Sequence, residues 1–432
     1  MNLIVKKTYD ILLGSVTPPS SKSQSIRGLI FALLAKGKST LTNILYSDDV
    51  QDAINVCQLL GAEIAISDNT LGLTSSGLPI RSITKRIYSG NSGITTCFVM
   101  PFLGLRQNAL SPIVLDCGDQ MRARSTQSLV DALNNLGLNI KYIDKLGFLP
   151  ISISGSLQGG NAEISGINSQ FLSALLISLP CAPLDSKIIV KDLHERPYVE
   201  MTLNWLRQHN IIFDHEQTED RDIYYIKGGQ KYSEFHTNIA SDFSSASYLI
   251  AAAVLNASHV ELHGLCMEDS QGDKRLVTIL QKMGADIQIA PSKLIIHGGK
   301  KLKGIEIDAN DIPDLLPTLA VIGTYAEGKT DITNVEHARF KETDRIHSIT
   351  EGLMRLGAKV DEYKDSITVY QSSMQGARVK GYGDHRTVMA LSIAGMLADG
   401  TTAIDGAEAI NKTFPEFVKT MRLLGANMKL MD

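Results

Sequence analysis

QKMGADI, residues 281–287, ends an amphipathic segment on a Gly-Ala pair and turns at once into a β-rich run. Related helix ends stand at QLLGAEI (58–64), NNLGLNI (134–140), RQHNIIF (207–213), MRLGAKV (354–360) and RLLGANM (422–428). Glycine suits that spot because it accepts the left-handed backbone that closes a last helical turn. The third copy has His209 and Asn210 instead, and asparagine is the next-best residue for such a cap. The copies recur roughly every seventy residues, longer than the usual solenoid unit of about 20–50 residues, so closed globular domains are expected rather than a stacked array.

Each copy is preceded by a second helix whose start carries cap-forming residues before an apolar run. These are SSKSQSIRGLIFALLA (20–35), GNSGITTCFVMPFLG (90–104), NSQFLSALLISL (168–179), SDFSSASYLIAAAVL (241–255), NDIPDLLPTLAVIGTYA (310–326) and GDHRTVMALSIAGMLA (383–398). Short β-rich runs such as KLIIHG and DSITVY lie between them. The expected repeat is helix, strand, helix, strand. A chain of 432 residues exceeds one core and predicts two domains of about 200 residues each. Three repeats then fall in each, with the polar stretch GGQKYSEFHTNIASD (228–242) as the boundary, near residue 239.

Composition narrows the function classes. With 44% hydrophobic and 20% charged residues the chain reads as globular throughout. A formal net charge of −4 lacks the basic excess of nucleic-acid binders. Five scattered cysteines with no CxxC pair indicate neither a zinc site nor a disulfide framework, so no metal and a reducing, cytoplasmic setting are expected. The start MNLIVKKTYDILLGS has neither signal-peptide nor transit-peptide order. FLSALLISLPCAPL is too short for a membrane span and is broken by Pro180 and Pro183.

Polar residues that solubility does not explain gather at helix starts: Lys22, Ser23 and Arg27; Asn91; Arg124; Ser169 and Gln170; Asp314; Lys341, Glu342 and Arg345; His385 and Arg386; Lys412. Helix amino termini present unpaired N–H groups, and with lysine and arginine they suit anions. Plainer readings exist for each. Ser23, Ser169 and Asp242 read as caps, GNSG as a turn, KETDR (341–345) as a solvated helix face, His385 as a structural histidine and Tyr198 as a half-buried aromatic.

SKSQSIR, LTNILYSDDV, SGNSG, NSQFLSALL, RPYVEMTL, DFSSASYLIAAA, SQGD, IPD, KETDR, GDHR and KTFPEF follow one another along the chain. In this order and spacing the sequence resembles the enolpyruvyl transferase family over nearly its whole length, on the branch that acts on phosphorylated shikimate. The resemblance implies an α/β fold of two domains, each an inside-out α/β barrel of three repeated units, with residues 21–239 as one domain. It implies that residues 1–20 plus 240–432 form the other, with the active site in the cleft between them. It implies transfer of the enolpyruvyl group of phosphoenolpyruvate to the 5-hydroxyl of shikimate-3-phosphate, with release of phosphate by addition and elimination. It further implies these two small molecules as partners, and a monomer.

Residue by residue, the resemblance implies that Lys22, Gly93, Arg124, Gln170, Arg345, Arg386 and Lys412 bind phosphoenolpyruvate, with Lys341 beside them. Lys22, Ser23, Arg27, Asn168, Ser169, Gln170, Tyr198, Asp314 and Lys341 would hold shikimate-3-phosphate. The chemistry requires these residue types. An alcohol adds to C2 of the enol phosphate while C3 is protonated, and phosphate then leaves as C3 loses a proton. Asp314 suits the attacking hydroxyl, Glu342 the proton traffic at C3 and Lys22 a further acid-base role. The cations would stabilise the carboxylate and the departing phosphate, and the reaction calls for no cofactor.

Four positions depart from the family pattern. Ile94 stands where threonine is common, Cys97 where arginine is, Asn168 where serine is, and Glu195 where a serine is expected near the substrate phosphate. A carboxylate there would repel that phosphate, and the altered 91–97 loop predicts weak inhibition by glyphosate, which the family binds in the phosphoenolpyruvate site. The related cell-wall transferases usually carry a cysteine five positions before the loop arginine, where this chain has Asp119 before Arg124. A divergent paralog with another acceptor and a catalytically silent anion binder are the remaining alternatives, the latter disfavoured because Lys22, Asp314 and Glu342 are all present.

Overall fold

The computed structural model describes residues 1–432. It divides into two compact units, one of Lys22–Ile239 and one of Met1–Ser21 with Ala240–Asp432. Each has its own continuous apolar core.

Six four-stranded sheets, three in each unit, follow one pattern: a parallel edge pair, then two antiparallel pairings. Within Lys22–Ile239, the repeat around Gly137 shows the full plan. Strand Arg86–Tyr88, helix Gly93–Phe102, strand Ile113–Asp116, helix Gln127–Asn135 and strands Leu138–Tyr142 and Ile151–Gly155 follow in order. The repeat is therefore strand, helix, strand, helix, strand, strand, two strands more than sequence patterning indicates. Its first strand is three residues long, too short to display a period of two. No sheet closes into a barrel.

Strands distant in sequence complete three of the sheets. Strand His236–Asn238 pairs in parallel with Lys36–Thr42 and finishes the first repeat. Asn2–Lys6 lies between Thr401–Asp405 and Met428–Met431, and Leu12–Val16 pairs with Ser258–His263. The first sixteen residues thus belong by hydrogen bonding to the unit of the last three repeats.

The six glycine-type helix ends adopt the conformation their sequence requires. φ is +90° at Gly61, +104° at Gly137, +108° at Gly284, +93° at Gly357 and +107° at Gly425, and Asn210 takes the same place with φ +56°. The first helix of each repeat is the buried one: every residue of Gly93–Phe102 is buried, as is all of Phe243–Val254. An apolar, alanine- and leucine-rich helix is stable there because it is covered on all sides. Sheets stay outside, with one face inward, as in the alternating burial of Ser186–Lys191. No helix is long and apolar enough to cross a membrane.

Candidate active site

Helix starts carry the polar residues in both units. In Lys22–Ile239, Lys22 opens the helix Lys22–Leu34 and its Nζ sits 2.9 Å from Asp49 Oδ2, with both side chains nearly buried. Arg27, one turn on and 2% exposed, donates from Nε to Thr202 Oγ1 at 3.0 Å, from Nη1 to the Ser23 carbonyl at 3.2 Å and from Nη2 to the Tyr198 carbonyl at 2.9 Å. Burial lowers its pKa to about 10. Arg27 therefore ties the backbones of Ser23 and Tyr198 together.

Three segments converge at Gly93. A Cβ added there would stand 2.9 Å from Arg124 Nη1 and 3.1 Å from Gln170 Oε1, so glycine leaves room that a methyl group would take. Ser92 caps this helix by accepting from Thr95 N–H at 3.3 Å, and Asn91 Oδ1 accepts from Gln120 N–H at 3.1 Å. Asp52 supports the same loop. Its carboxylate accepts the Asn91 N–H, and a Cβ on Gly90 (φ +62°) would overlap Asp52 Oδ2 at 1.7 Å. Burial, with Asp49 and Asp48 nearby, pushes the Asp52 pKa up to about 7. Ile94 and Cys97 are both buried, and burial pushes the Cys97 thiol up to about 12, which makes it packing rather than a nucleophile.

Asn168, not Ser169, caps the helix Ser169–Ser178, accepting from Gln170 N–H at 3.0 Å. Ser23 likewise lies inside its helix rather than at the cap. Ser169 Oγ instead donates to Glu195 Oε2 at 2.6 Å. Glu195 is 1% exposed and adopts φ +56°, an uncommon backbone for a residue with a side chain. The adjacent Arg196 forms a two-pronged pair with Asp222 at 2.7 and 2.9 Å.

In the other unit, Arg345 is the hub. Its guanidinium, 1% exposed, reaches Asp314 Oδ1 at 2.5 Å, Glu342 Oε2 at 2.5 Å and Asp384 Oδ2 at 2.9 Å. Arg386 Nη2 takes the second oxygen of Asp314 at 2.5 Å. Burial alone would raise the Asp314 pKa, but Arg386, Arg345 and Lys341 outweigh it and hold the carboxyl well below the usual range. Burial would lower the Arg345 pKa, yet Asp384, Glu342 and Asp314 hold it above its ordinary value. A buried Arg345 corrects the solvated-face reading of KETDR, of which Asp344 is the helix cap. Asp242 caps its helix, and Lys412 Nζ donates to the Gly383 carbonyl at 3.1 Å.

Sequence reasoning assigned no role to Asp49, Asp52 or Asp384. Asp384 both caps the helix His385–Leu397, accepting from Arg386 N–H at 2.7 Å and Thr387 N–H at 3.0 Å, and anchors Arg345. The pattern D-x-R-T at a helix start was the available signal. A separate polar hollow of about 550 Å³, lined by Ser125, Gln127, Ser128, Asp131, Glu163 and Lys191 among others, contains none of the assigned residues.

Buried cations held in fixed geometry by carboxylates in one unit, and backbone left open by glycine at Arg124 and Gln170 in the other, each suit a small anion, and the carboxylates suit proton transfer. Comparison with known proteins agrees with that chemistry. The family model for EPSP synthase (3-phosphoshikimate 1-carboxyvinyltransferase) matches residues 7–421. A 3-phosphoshikimate 1-carboxyvinyltransferase from Acetivibrio thermocellus is 42% identical over 421 residues, covering 97% of each chain. One from Methanococcus maripaludis is 39% identical, covering 99% of this chain and 100% of its own. The solved structure of EPSP synthase from Acinetobacter baumannii shares the fold at a TM-score of 0.82, with 22% identity and 100% of both chains covered.

Proposed function

Since this chain belongs to the EPSP synthase family, we propose that it has that family's 3-phosphoshikimate 1-carboxyvinyltransferase activity in the shikimate pathway, and that the two residue clusters serve its two substrates. The enolpyruvyl group of phosphoenolpyruvate passes to the 5-hydroxyl of shikimate-3-phosphate, and phosphate departs. The observation that carries the reading of the residues is the clamp on Asp314 by Arg345 and Arg386 at 2.5 Å each.

That clamp supports a sequence of events. Without substrate, the two guanidinium groups hold Asp314 ionised and make it a weak base. Arg345, Arg386 and Lys412, with Arg124 and Gln170 around Gly93, bind the carboxylate and phosphate of phosphoenolpyruvate. An anion that shares Arg386 withdraws part of its charge from Asp314, so the carboxylate becomes more basic when the acceptor hydroxyl arrives. Asp314 then takes the hydroxyl proton, Glu342 exchanges the proton at C3, and Lys22, oriented by Asp49, serves as a further acid-base group. Ser23, Arg27, Asn168, Ser169, Tyr198 and Lys341 position the ring acceptor. Phosphate leaves toward the same cations, which stabilise its developing charge.

Asp314→Asn should lower kcat by roughly 10²–10⁴-fold, the range for a lost general base, with phosphoenolpyruvate still bound. Unchanged kcat would remove Asp314 from the proton path. A second reading concerns Glu195, buried on Ser169 where the acceptor phosphate is expected. It favours an acceptor whose anionic group is absent or displaced, and comparison of shikimate-3-phosphate with shikimate as acceptor separates the two.

A further inference from the structure

Asp116 ends the strand Ile113–Asp116 and is 2% exposed. Its Oδ1 accepts from Cys117 N–H at 2.8 Å, from Arg122 Nε at 3.1 Å and from Arg122 Nη2 at 2.8 Å. Oδ2 accepts from Arg122 Nη2 at 2.9 Å and from Arg86 Nη2 at 2.6 Å. Arg122 thus lays one edge of its guanidinium along the carboxylate, a contact that fixes the plane of the group as well as its distance. A buried carboxylate is tolerated here because two cations and a backbone N–H compensate its charge.

Arg122 closes the short helix Asp119–Arg122, and Arg124 follows two residues later. The ties of this segment run to the loop before Gly93. Gly118 N–H donates to the Gly90 carbonyl at 2.7 Å, Gln120 N–H donates to Asn91 Oδ1 at 3.1 Å, and a Cβ on Gly118 would stand 2.3 Å from Asn91 Oδ1. Arg122 N–H donates to the Gly118 carbonyl at 2.9 Å and Arg124 N–H to the Met121 carbonyl at 3.0 Å. Arg124 Nη1 and Met121 Sδ then lie 2.9 and 3.7 Å from the place a Gly93 Cβ would take. The main chain of Asp116 reaches the helix Gly93–Phe102 as well. Its carbonyl accepts from Ser89 N–H at 3.0 Å and from Ser89 Oγ at 3.2 Å, and Ser89 Oγ shares a hydrogen bond with Thr96 Oγ1 at 2.7 Å.

We propose that Asp116 is a positioning residue for phosphoenolpyruvate binding: by gripping Arg122 it fixes the segment that sets Arg124 beside Gly93 and Gln170. This role rests on the reading of Gly93, Arg124 and Gln170 as phosphoenolpyruvate-binding residues. Asp116 itself touches no substrate and acts through Arg122. Without the pair, the segment keeps its backbone hydrogen bonds but loses the side-chain anchor on the strand, so Arg124 samples other positions. Misplacement of a positioned group by about 1 Å costs up to about a hundredfold.

The test compares the full chain, unaltered, with Asp116→Asn, Arg122→Gln, the double variant and Arg86→Gln. Asp116→Asn and Arg122→Gln should each raise KM for phosphoenolpyruvate roughly tenfold, with kcat and KM for shikimate-3-phosphate within about twofold, because binding of one substrate alone is weakened. The double variant should rise no further than either single one, since both remove the same contact. Arg86→Gln takes away a largely exposed donor that is not on the Arg124 segment and should stay within about twofold. Amide hydrogen exchange without substrate runs in parallel: residues 117–126 should exchange roughly tenfold faster in Asp116→Asn and Arg122→Gln, with the strand Leu138–Tyr142 unchanged. An unchanged KM for phosphoenolpyruvate, equal rises for both substrates, additive rises in the double variant, an equal rise in Arg86→Gln or unchanged exchange at 117–126 would overturn the proposal. Should Asp116→Asn fail to fold, Arg122→Gln carries the same two readouts on a partly exposed side chain. Absence of turnover by the unaltered protein would count against the functional reading instead, and the exchange rates would still decide whether the Asp116–Arg122 pair fixes the segment that carries Arg124.

Discussion

Asp314 Oδ1 and Arg345 Nη1 stand 2.5 Å apart on segments separated by 31 residues, and the arginine of that pair is 1% exposed. Because Arg345 also meets Glu342 and Asp384, one guanidinium ties together the two carboxylates assigned to proton transfer and the one that caps the Arg386 helix.

Arg345→Lys should therefore be severe. An ammonium cannot bridge three carboxylates as a planar guanidinium does. The expected outcome is a stability loss of about 3–5 kcal/mol, the usual range when a buried pair is broken, read from denaturant unfolding. Activity should fall further than the folded fraction alone explains.

Gly93→Ala separates binding from folding. The backbone there is helical, so alanine is tolerated, but its methyl would lie 2.9 Å from Arg124 Nη1 and 3.1 Å from Gln170 Oε1. KM for phosphoenolpyruvate should rise by about tenfold or more, roughly 1.4 kcal/mol of binding, with little change in Tm. Steady-state kinetics beside a thermal melt would check both halves.

His209 gives a stability prediction with a definite sign. Its ring packs 5.0 Å from Phe31 and 4.7 Å from Phe235, and burial lowers its pKa to about 4. The folded state holds the neutral ring, so its contribution is present above the unfolded value near 6.5 and is lost as pH falls toward 4. Relative to His209→Phe, the unaltered protein should lose Tm between those pH values.

Asp52 has the opposite pH dependence. Its folded pKa is raised to about 7, so any stability it contributes is present below the unfolded value near 3.8 and is lost as pH rises through 7. Asp52→Asn keeps an acceptor for the Asn91 N–H, and its Tm should gain on that of the unaltered protein between mildly acid and mildly alkaline pH. A pH-independent difference would remove the titration from the explanation.

The repeats were legible because helix caps are local: Gly61, Gly137, Gly284, Gly357 and Gly425 need a left-handed backbone, and Asn210 meets the same need at the divergent copy. Edge strands were not legible. Arg86–Tyr88, Glu306–Asp308 and Arg378–Val379 are set by pairing to a neighbour and are too short to show alternation. The family motifs marked Gly93, Arg124, Gln170, Asp314, Arg345 and Arg386, and the structure brings together Gly93, Arg124 and Gln170 in one unit and Asp314, Arg345 and Arg386 in the other. Their supporting carboxylates stayed hidden, because Asp49 and Asp384 act on groups 27 and 39 residues away. Charge spacing in KETDR could not reveal that Arg345 is buried, since burial depends on the helices packed against it.

The most direct test supplies the protein with phosphoenolpyruvate and shikimate-3-phosphate, follows inorganic phosphate and weighs the product by mass spectrometry. Equimolar phosphate and enolpyruvylshikimate-3-phosphate are expected, with both lost in Asp314→Asn. No product from shikimate-3-phosphate, or product only from unphosphorylated shikimate, would contradict the assignment.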